Sequence, residues 1–470
     1  MFAIIIAQLH HLRRAFSREA TFLWICLFIV GLCVAHDNLG GVSPTIRALG
    51  LDHEAYLRVL NSLHSSAINF ELLVKSWHGL ILKLFGSNVV TLNGRPVYLA
   101  DAIKNPKEGR RMPAVKKQHQ ESMNNSKPEY IRGHFIQAIG VLVRGLGGST
   151  FCLPFIAKIH EGFKLRKDDT RTLKTKFKDL VLELPIGGGV LVCDAWYAAA
   201  KIISFVPKGF DLVIITRVGK TSVATRPPFP EKGRRGRPLK YGEKVLLSSL
   251  FATAKMFDGQ VTGANGEILA VQYWCEDLLW RSLGVYVRFV GMQHPDGRRF
   301  VTLCTDVSMP PLDIIQGYTY RFRIEIAFKV GVHTMRTFGY RFWTKTIDKL
   351  PRFPVAEMLF NRPDDYVARY LLKIRVYEIF MLTGFIAQGL LAYLSVFCPV
   401  VVRSNLRTWF RTIRTGLSLS ETIVAESLRT EIPNLMKAGP RSCAVTKFIA
   451  EQIVNAQERI NIQLVQAKTG

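Results

Sequence analysis

"GGGVLVCDAWY" (187–197) is the stretch that decides the fold. Three glycines break the preceding pattern, an uninterrupted apolar run follows, and Asp194 closes it. A short apolar run bounded in this way reads as a strand buried on both faces. "AAAKIISFV" (198–206) then reads as a helix and "FDLVIITRV" (210–218) as a second strand. Upstream, "RPVYLADAI" (95–103), "HFIQAIGVLVRG" (134–145) and "STFCLPFIAKIH" (149–160) are β-type runs divided by Gly and Pro. "TRTLKTKFKDLVLEL" (170–184) reads as a helix between them. Three strands followed by strand–helix–strand predicts a mixed α/β core.

The flanks differ from this centre. Residues 1–90 read as helical. Within them "SPTIRALGLDHEAYLRVLNSL" (43–63) holds two helices, the first stopped at Gly50 and the second opening at Asp52. That pattern suits a helix-turn-helix and equally two ordinary packed helices. Residues 219–300 carry "RPPFPEKGRRGRPLKYGEK" (226–244) and short alternating runs such as "ILAVQYW" (268–274) and "VYVRFVGM" (285–292). This predicts an inserted, mostly β module opened by a basic loop. "RRFVTLCTD" (298–306) reads as a strand, "PPLDIIQGYTYRFRIEIAFKV" (310–330) starts a helix, and the rest of the chain reads as mostly helical.

The chain has 470 residues, enough for two or three domains. Lys and Arg number 63 against 36 Asp and Glu, a net charge of +27. Such an excess calls for a polyanionic partner, nucleic acid first and an anionic membrane second. Eight cysteines are scattered without C-x-x-C or zinc-type spacing, which predicts reduced thiols in a cytoplasmic protein. Two uncharged runs, 20–35 and 379–402, are apolar enough to raise a membrane span. The expectation is that both are buried core helices and that the protein has no membrane partner.

Asp101 and Asp194 each end an apolar strand, where functional side chains of α/β sheets gather. An isolated Asp there is commonly a cap or turn residue, but two on neighbouring strands, with Glu325 on a following helix, suit a divalent metal. Mg²⁺ is held by one or two carboxylates plus water and phosphate oxygens. Two such ions about 3.5–4 Å apart serve both oxygens of a phosphodiester displacement. Basic residues cluster beside each carboxylate: nine Lys/Arg against three Asp/Glu in 104–144, nine against two in 217–244, and eight against two in 321–352. Arg234, Arg235, Arg237 and Lys240 of the second cluster are candidate phosphate contacts. "YTYRFRIEIAFK" (318–329) places Tyr318, Arg321, Glu325 and Lys329 on one helical stripe, where the bland alternative is a pair of i,i+4 ion pairs.

"YLADAIKNPKEGRRMPAVKKQHQES", "IRGHF", "VLVCDAWYAAAKII", "LVIITRV", "GRRGRPLKYGEKV" and "YTYRFRIEIAFK", in that order over residues 90–345, resemble bacterial insertion-sequence transposases of the DDE superfamily. The resemblance is to the insertion-sequence-four type, whose last motif reads Y-x2-R-x3-E-x6-K. Tyr318, Arg321 and Glu325 match, and Val332 stands where the final Lys is expected, with Lys329 or His333 as substitutes.

The resemblance implies an α/β fold of ribonuclease H type: a mixed-sheet RNase H-like core at 91–218 and 301–400, a β-rich insertion at 219–300, a helical DNA-end-binding region at 1–90 and a helical C-terminal region at 401–470. It implies Asp101, Asp194 and Glu325 as catalytic ligands of two Mg²⁺, with Mn²⁺ able to substitute, and Tyr318 and Arg321 on DNA phosphate. The partners implied are double-stranded DNA, as element ends and target, and a second copy in a homodimeric synaptic complex, in a nucleoid-associated bacterial setting. The activity implied is cleavage at terminal inverted repeats and joining of the freed ends to target DNA. In some relatives a Trp of the insertion holds a flipped base; Trp274 and Trp280 are candidates, against plain core packing. His134 is expected to be a core histidine, Trp196 and Tyr197 packing residues, and Asp168 and Asp169 helix caps. Two competing readings are a catalytically decayed DNA-binding relative and a membrane-associated basic protein resting on the apolar runs.

Overall fold

The structure, a computed structural model, describes residues 1–35, 40–120, 128–184, 187–203, 211–228, 239–263, 266–341, 344–432 and 443–469. Among these residues five α-helices come first: α1 (Phe2–Leu9), α2 (Glu19–Val34), α3 (Val42–Ala48), α4 (His53–Leu63) and α5 (Phe70–Phe85). The second of them is apolar all round, and a helix of that kind must be covered on every side. Gly50, with φ +66°, ends the turn after α3, and the Asp52 carboxylate accepts from the Ala55 amide to start α4.

Among the described residues fifteen strands follow: β1 (Thr91–Leu92), β2 (Arg95–Pro106), β3 (Lys116–His119), β4 (Tyr130–Arg144), β5 (Thr150–Ile159), β6 (Phe163–Lys164), β7 (Gly188–Cys193), β8 (Asp211–Val218), β9 (Val223–Thr225), β10 (Lys244–Leu246), β11 (Phe257–Thr262), β12 (Ile268–Trp280), β13 (Val285–Gln293), β14 (Arg299–Cys304) and β15 (Glu357–Met358). Thirteen form one large mixed sheet in the order β10-β9-β12-β13-β14-β8-β7-β2-β4-β3, with β1 on β2, β5 on β4 and β11 on β12. Strands β2, β7 and β8 run parallel at its centre, and the other pairings of the sheet are antiparallel. The strands of 223–293 extend this sheet through β14 rather than forming a separate one.

Between strands lie α6 (Leu173–Leu182), α7 (Ala200–Ile203) and α8 (Leu250–Thr253). After the sheet come α9 (Pro311–Thr319), α10 (Phe322–His333), α11 (Asp364–Phe397), α12 (Pro399–Ser404), α13 (Glu421–Arg429) and α14 (Ala444–Thr469). The third of these, α11, is long and apolar enough to cross a membrane by length and composition, but 94% of its apolar window is buried inside the protein. It packs on α2, α5, α13 and β5, so the run at 20–35 and most of that at 379–402 fill the core, while Phe397, Val400 and Val401 are exposed. The Thr172 hydroxyl, directly before Leu173, caps α6, and Asp168 and Asp169, expected as caps, instead pair with Arg166 and Arg171. All eight cysteines are free thiols, five of them buried.

Candidate active site

Backbone register brings the two aspartates together. Ala100 of β2 pairs with Cys193 of β7 as the last partners of a parallel ladder, so Asp101 and Asp194 follow at the same level. Neighbouring strands lie about 4.8 Å apart. Asp101 stays in β2, opposite Ala138 of β4, while the chain turns sharply after Asp194 into Ala195–Tyr197. The Asp194 carbonyl accepts from the Thr216 hydroxyl at 2.9 Å and from the Tyr197 amide, fixing the turn. Its carboxylate has no hydrogen-bond partner among the described residues and opens into a cavity of about 1100 Å³. Asp101 and Glu325 line the same cavity, with Lys104, Lys116, Lys117 and Trp196.

Glu325 reaches this place from α10. The helical path expected through 318–329 is interrupted: α9 ends at Thr319 and α10 begins at Phe322. Tyr320, Arg321, Arg323 and Ile324 bond back three residues rather than four, which tightens the chain at the joint. Tyr318 is therefore on one helix and Glu325 on the next. Gly317 lets α9 press onto the sheet, since a Cβ there would stand 2.7 Å from Leu92.

Arg321, at the joint, links the carboxylates. Its guanidinium donates to Asp101 Oδ2 at 3.3 Å and to Glu325 Oε1 at 2.5 Å. Burial works against its charge, but Glu325, Asp194 and Asp101 outweigh that and hold its pKa above the ordinary value. Asp101 is pushed up to about 6, chiefly by burial; the Ala102 amide and Arg321 oppose the rise, and the charges of Asp194 and Glu325 add to it.

The remaining candidates scatter. Tyr318 lies against Phe300, 5.6 Å between ring centres, and burial raises its hydroxyl to about 12. Lys329 is exposed and makes no ion pair with Glu325 among the described residues, so only the Arg321 half of the i,i+4 pairing forms. Val332 lines a separate cavity of about 350 Å³ with Lys107, Arg336 and Arg341. Lys107 is buried there, its pKa brought down to about 7 by burial and by Arg341, and it donates to the Phe338 and Tyr340 carbonyls. Lys240 is exposed, over the Tyr241 ring; Arg234, Arg235 and Arg237 lie outside the described residues.

His134 is buried, with Nε2 donating to the Pro113 carbonyl at 2.9 Å and Nδ1 unpartnered. Tyr197 packs in the core, but Trp196 is 37% exposed and faces the cavity, with Lys174 over its ring. Trp274 is fully buried, edge-on to Phe251, and Trp280 packs near Phe289. The cavity-wall lysines Lys104, Lys116 and Lys117 belong to the basic run that begins three positions after Asp101, and that run is their only signal in the sequence.

The donor set suits a hard divalent cation. It is all carboxylate, two of the three lie side by side, and an open cavity leaves room for water and phosphate oxygens. Among the described residues no three His, Cys, Asp or Glu side chains converge on one point. Arg321 engages one oxygen each of Asp101 and Glu325, so it would compete with any cation those two carboxylates were to hold.

By sequence the chain matches no protein-family model and no curated protein. By structure it is similar to a piggyBac transposase synaptic complex with hairpin DNA, solved by cryo-EM, at 11% identity and a TM-score of 0.33, over 93% of this chain and 76% of that one. A score of that size does not establish a shared fold.

Proposed function

We propose that this protein is a DNA transposase of the DDE superfamily, of the insertion-sequence-four type, with an RNase H-like core. The carrying observation is that Asp101, Asp194 and Glu325, from three distant segments, line one cavity whose wall also holds Lys104, Lys116 and Lys117. Burial and the charges of Asp194 and Glu325 oppose ionisation of Asp101, which favours a cationic ligand. Lysines around them draw in a polyanion. In this reading residues 1–90 bind the element ends, 91–218 and 301–400 form the catalytic core, 219–300 is an insertion on it, and two copies meet on DNA.

Bound Mg²⁺ would supply the Lewis acidity that activates the attacking oxygen and stabilises the leaving one. Asp101 and Asp194 would hold it from adjacent strands, and Glu325 from α10. Arg321, beside the same carboxylates, would bind a phosphate oxygen of the DNA. In cleavage, water oxygen bonds to phosphorus, the P–O3′ bond breaks, and the 3′-oxygen leaves with a proton. In joining, that 3′-hydroxyl attacks a target phosphorus and expels the target's own 3′-oxygen.

The test is metal-dependent nicking of DNA that carries the element's terminal inverted repeats. Asp101→Asn, Asp194→Asn and Glu325→Gln are each expected to abolish it; nicking intact in all three variants sinks the assignment. A second reading, a DNA-binding relative without catalysis, is favoured by Arg321 sitting between two of the carboxylates and by Val332. It predicts salt-sensitive DNA binding with no Mg²⁺-dependent cleavage by the wild type.

A further inference from the structure

Residues 379–420 contain no Asp or Glu and four arginines, Arg403, Arg407, Arg411 and Arg414. From 405 to 420 the chain has no regular secondary structure, yet it is tied down. Arg403 donates to the Arg414 and Leu417 carbonyls, Ser395 to the Leu419 carbonyl at 2.6 Å, and the Leu146 amide to the Ser418 hydroxyl at 2.7 Å. Leu406, Phe410 and Ile413 pack inward against the core. What remains outside is Arg407, Arg411, Arg414 and a tryptophan, Trp409, at 84% exposure. None of the three outer guanidinium groups has a hydrogen-bond or ion-pair partner among the described residues.

We propose that residues 405–417 form a second DNA-binding surface, with Arg407, Arg411 and Arg414 on backbone phosphates and the Trp409 indole against a sugar–base edge or an opened base step. The identity of the polymer rests on the function proposed above. Leu417 and Gly416 lie against Gly147, in the turn after β4. Arg144 ends β4, and Ala138, the partner of Asp101, is six residues earlier, about 20 Å along the strand. The surface is thus distinct from the catalytic cavity and fits a stretch of duplex away from the cut. Guanidinium forks match phosphate, and an exposed aromatic gives sequence-tolerant base contact. Phe397 and Val400, also exposed, give an anionic membrane its best support. Against it stands the irregular backbone of this segment, whose polar groups would go unsatisfied in lipid.

The experiment uses the full chain, a generic duplex without element ends, and phosphatidylserine–phosphatidylcholine vesicles. Arg407→Gln/Arg411→Gln/Arg414→Gln should lower the slope of log affinity against log salt by about 2–3, since each lost phosphate contact removes about 0.9. Trp409→Ala should weaken duplex binding about fivefold, with Trp409→Phe restoring much of it. An unchanged slope in the triple variant, or loss of vesicle binding with duplex binding retained, overturns the proposal. Nicking of element ends by Asp194→Asn reports on the catalytic reading alone, so the two failures are distinguishable.

Discussion

Asp101 and Arg321 are 220 positions apart in the chain and 3.3 Å apart in the fold. That contact joins the central strand β2 to the start of α10, and through Arg321 it reaches Glu325 as well. The site is a balance of one guanidinium against three carboxylates. Each side of that balance can be removed separately.

Taking away the charge of Asp101 should stabilise the metal-free protein. Its carboxyl moves from an ordinary 3.8 up to about 6 on folding. The folded state then holds the proton more tightly than the unfolded chain. The resulting stabilisation is complete below the unfolded value and is lost as pH rises through 6. At pH 8 the ionised group costs on the order of 2–3 kcal/mol. Asp101→Asn should recover about 2 kcal/mol at pH 8 and nothing at pH 4, read by urea titration in chelator. No gain at pH 8 would contradict the cost of burying this carboxylate in its charged form.

Removing Arg321 should do the opposite. Arg321→Ala leaves Asp101 and Glu325 facing Asp194 without a cation, and the metal-free protein should lose about 1–3 kcal/mol. Added Mn²⁺ should then raise the melting temperature more in the variant than in the wild type, because no guanidinium has to be displaced. An equal thermal shift in both proteins would show that Arg321 and the metal do not compete.

The cavity lysines should govern DNA affinity without governing sequence. Lys104 and Lys117 line the wall beside Asp101. Lys104→Gln and Lys117→Gln should each lower the salt slope of duplex binding by about 0.9 and weaken all sequences alike. Equal slopes for wild type and both variants would remove these residues from the DNA path.

Much of the centre was legible in the sequence because it is encoded locally. The runs ending at Asp101 and Asp194 are apolar on both faces, and only a central strand buries such a run. The buried character of 20–35 and of most of 379–402 followed from their lack of charge. Pairing was not legible, because strand partners are chosen by distant segments. Nothing within 223–293 says that those strands continue the central sheet. The break at Tyr320–Arg321 was hidden too, since every residue from 318 to 329 tolerates a helix. Trp196 does pack, edge-on to Tyr197 with 4.9 Å between ring centres, but its place on the cavity wall was not legible, because an aromatic beside Tyr197 looks like core.

Trp274 should prove structural rather than a base-holding residue. It pairs across β12 and β13 with Gly291, and its indole lies over that glycine so closely that a Cβ would collide with it. Its Nε1 is buried without a partner, so no hydrogen bond is lost on replacement. Gly291→Ala should destabilise the protein by about 1–3 kcal/mol through overpacking, and Trp274→Ala by about 3–5 kcal/mol through the cavity it leaves. Combining Gly291→Ala with Trp274→Phe should recover part of the loss, because the smaller ring makes room for the methyl group. Trp274→Phe alone, still folded, should nick element ends at the wild-type rate. A folded Trp274→Phe protein that loses end processing while keeping duplex affinity would return this residue to the DNA.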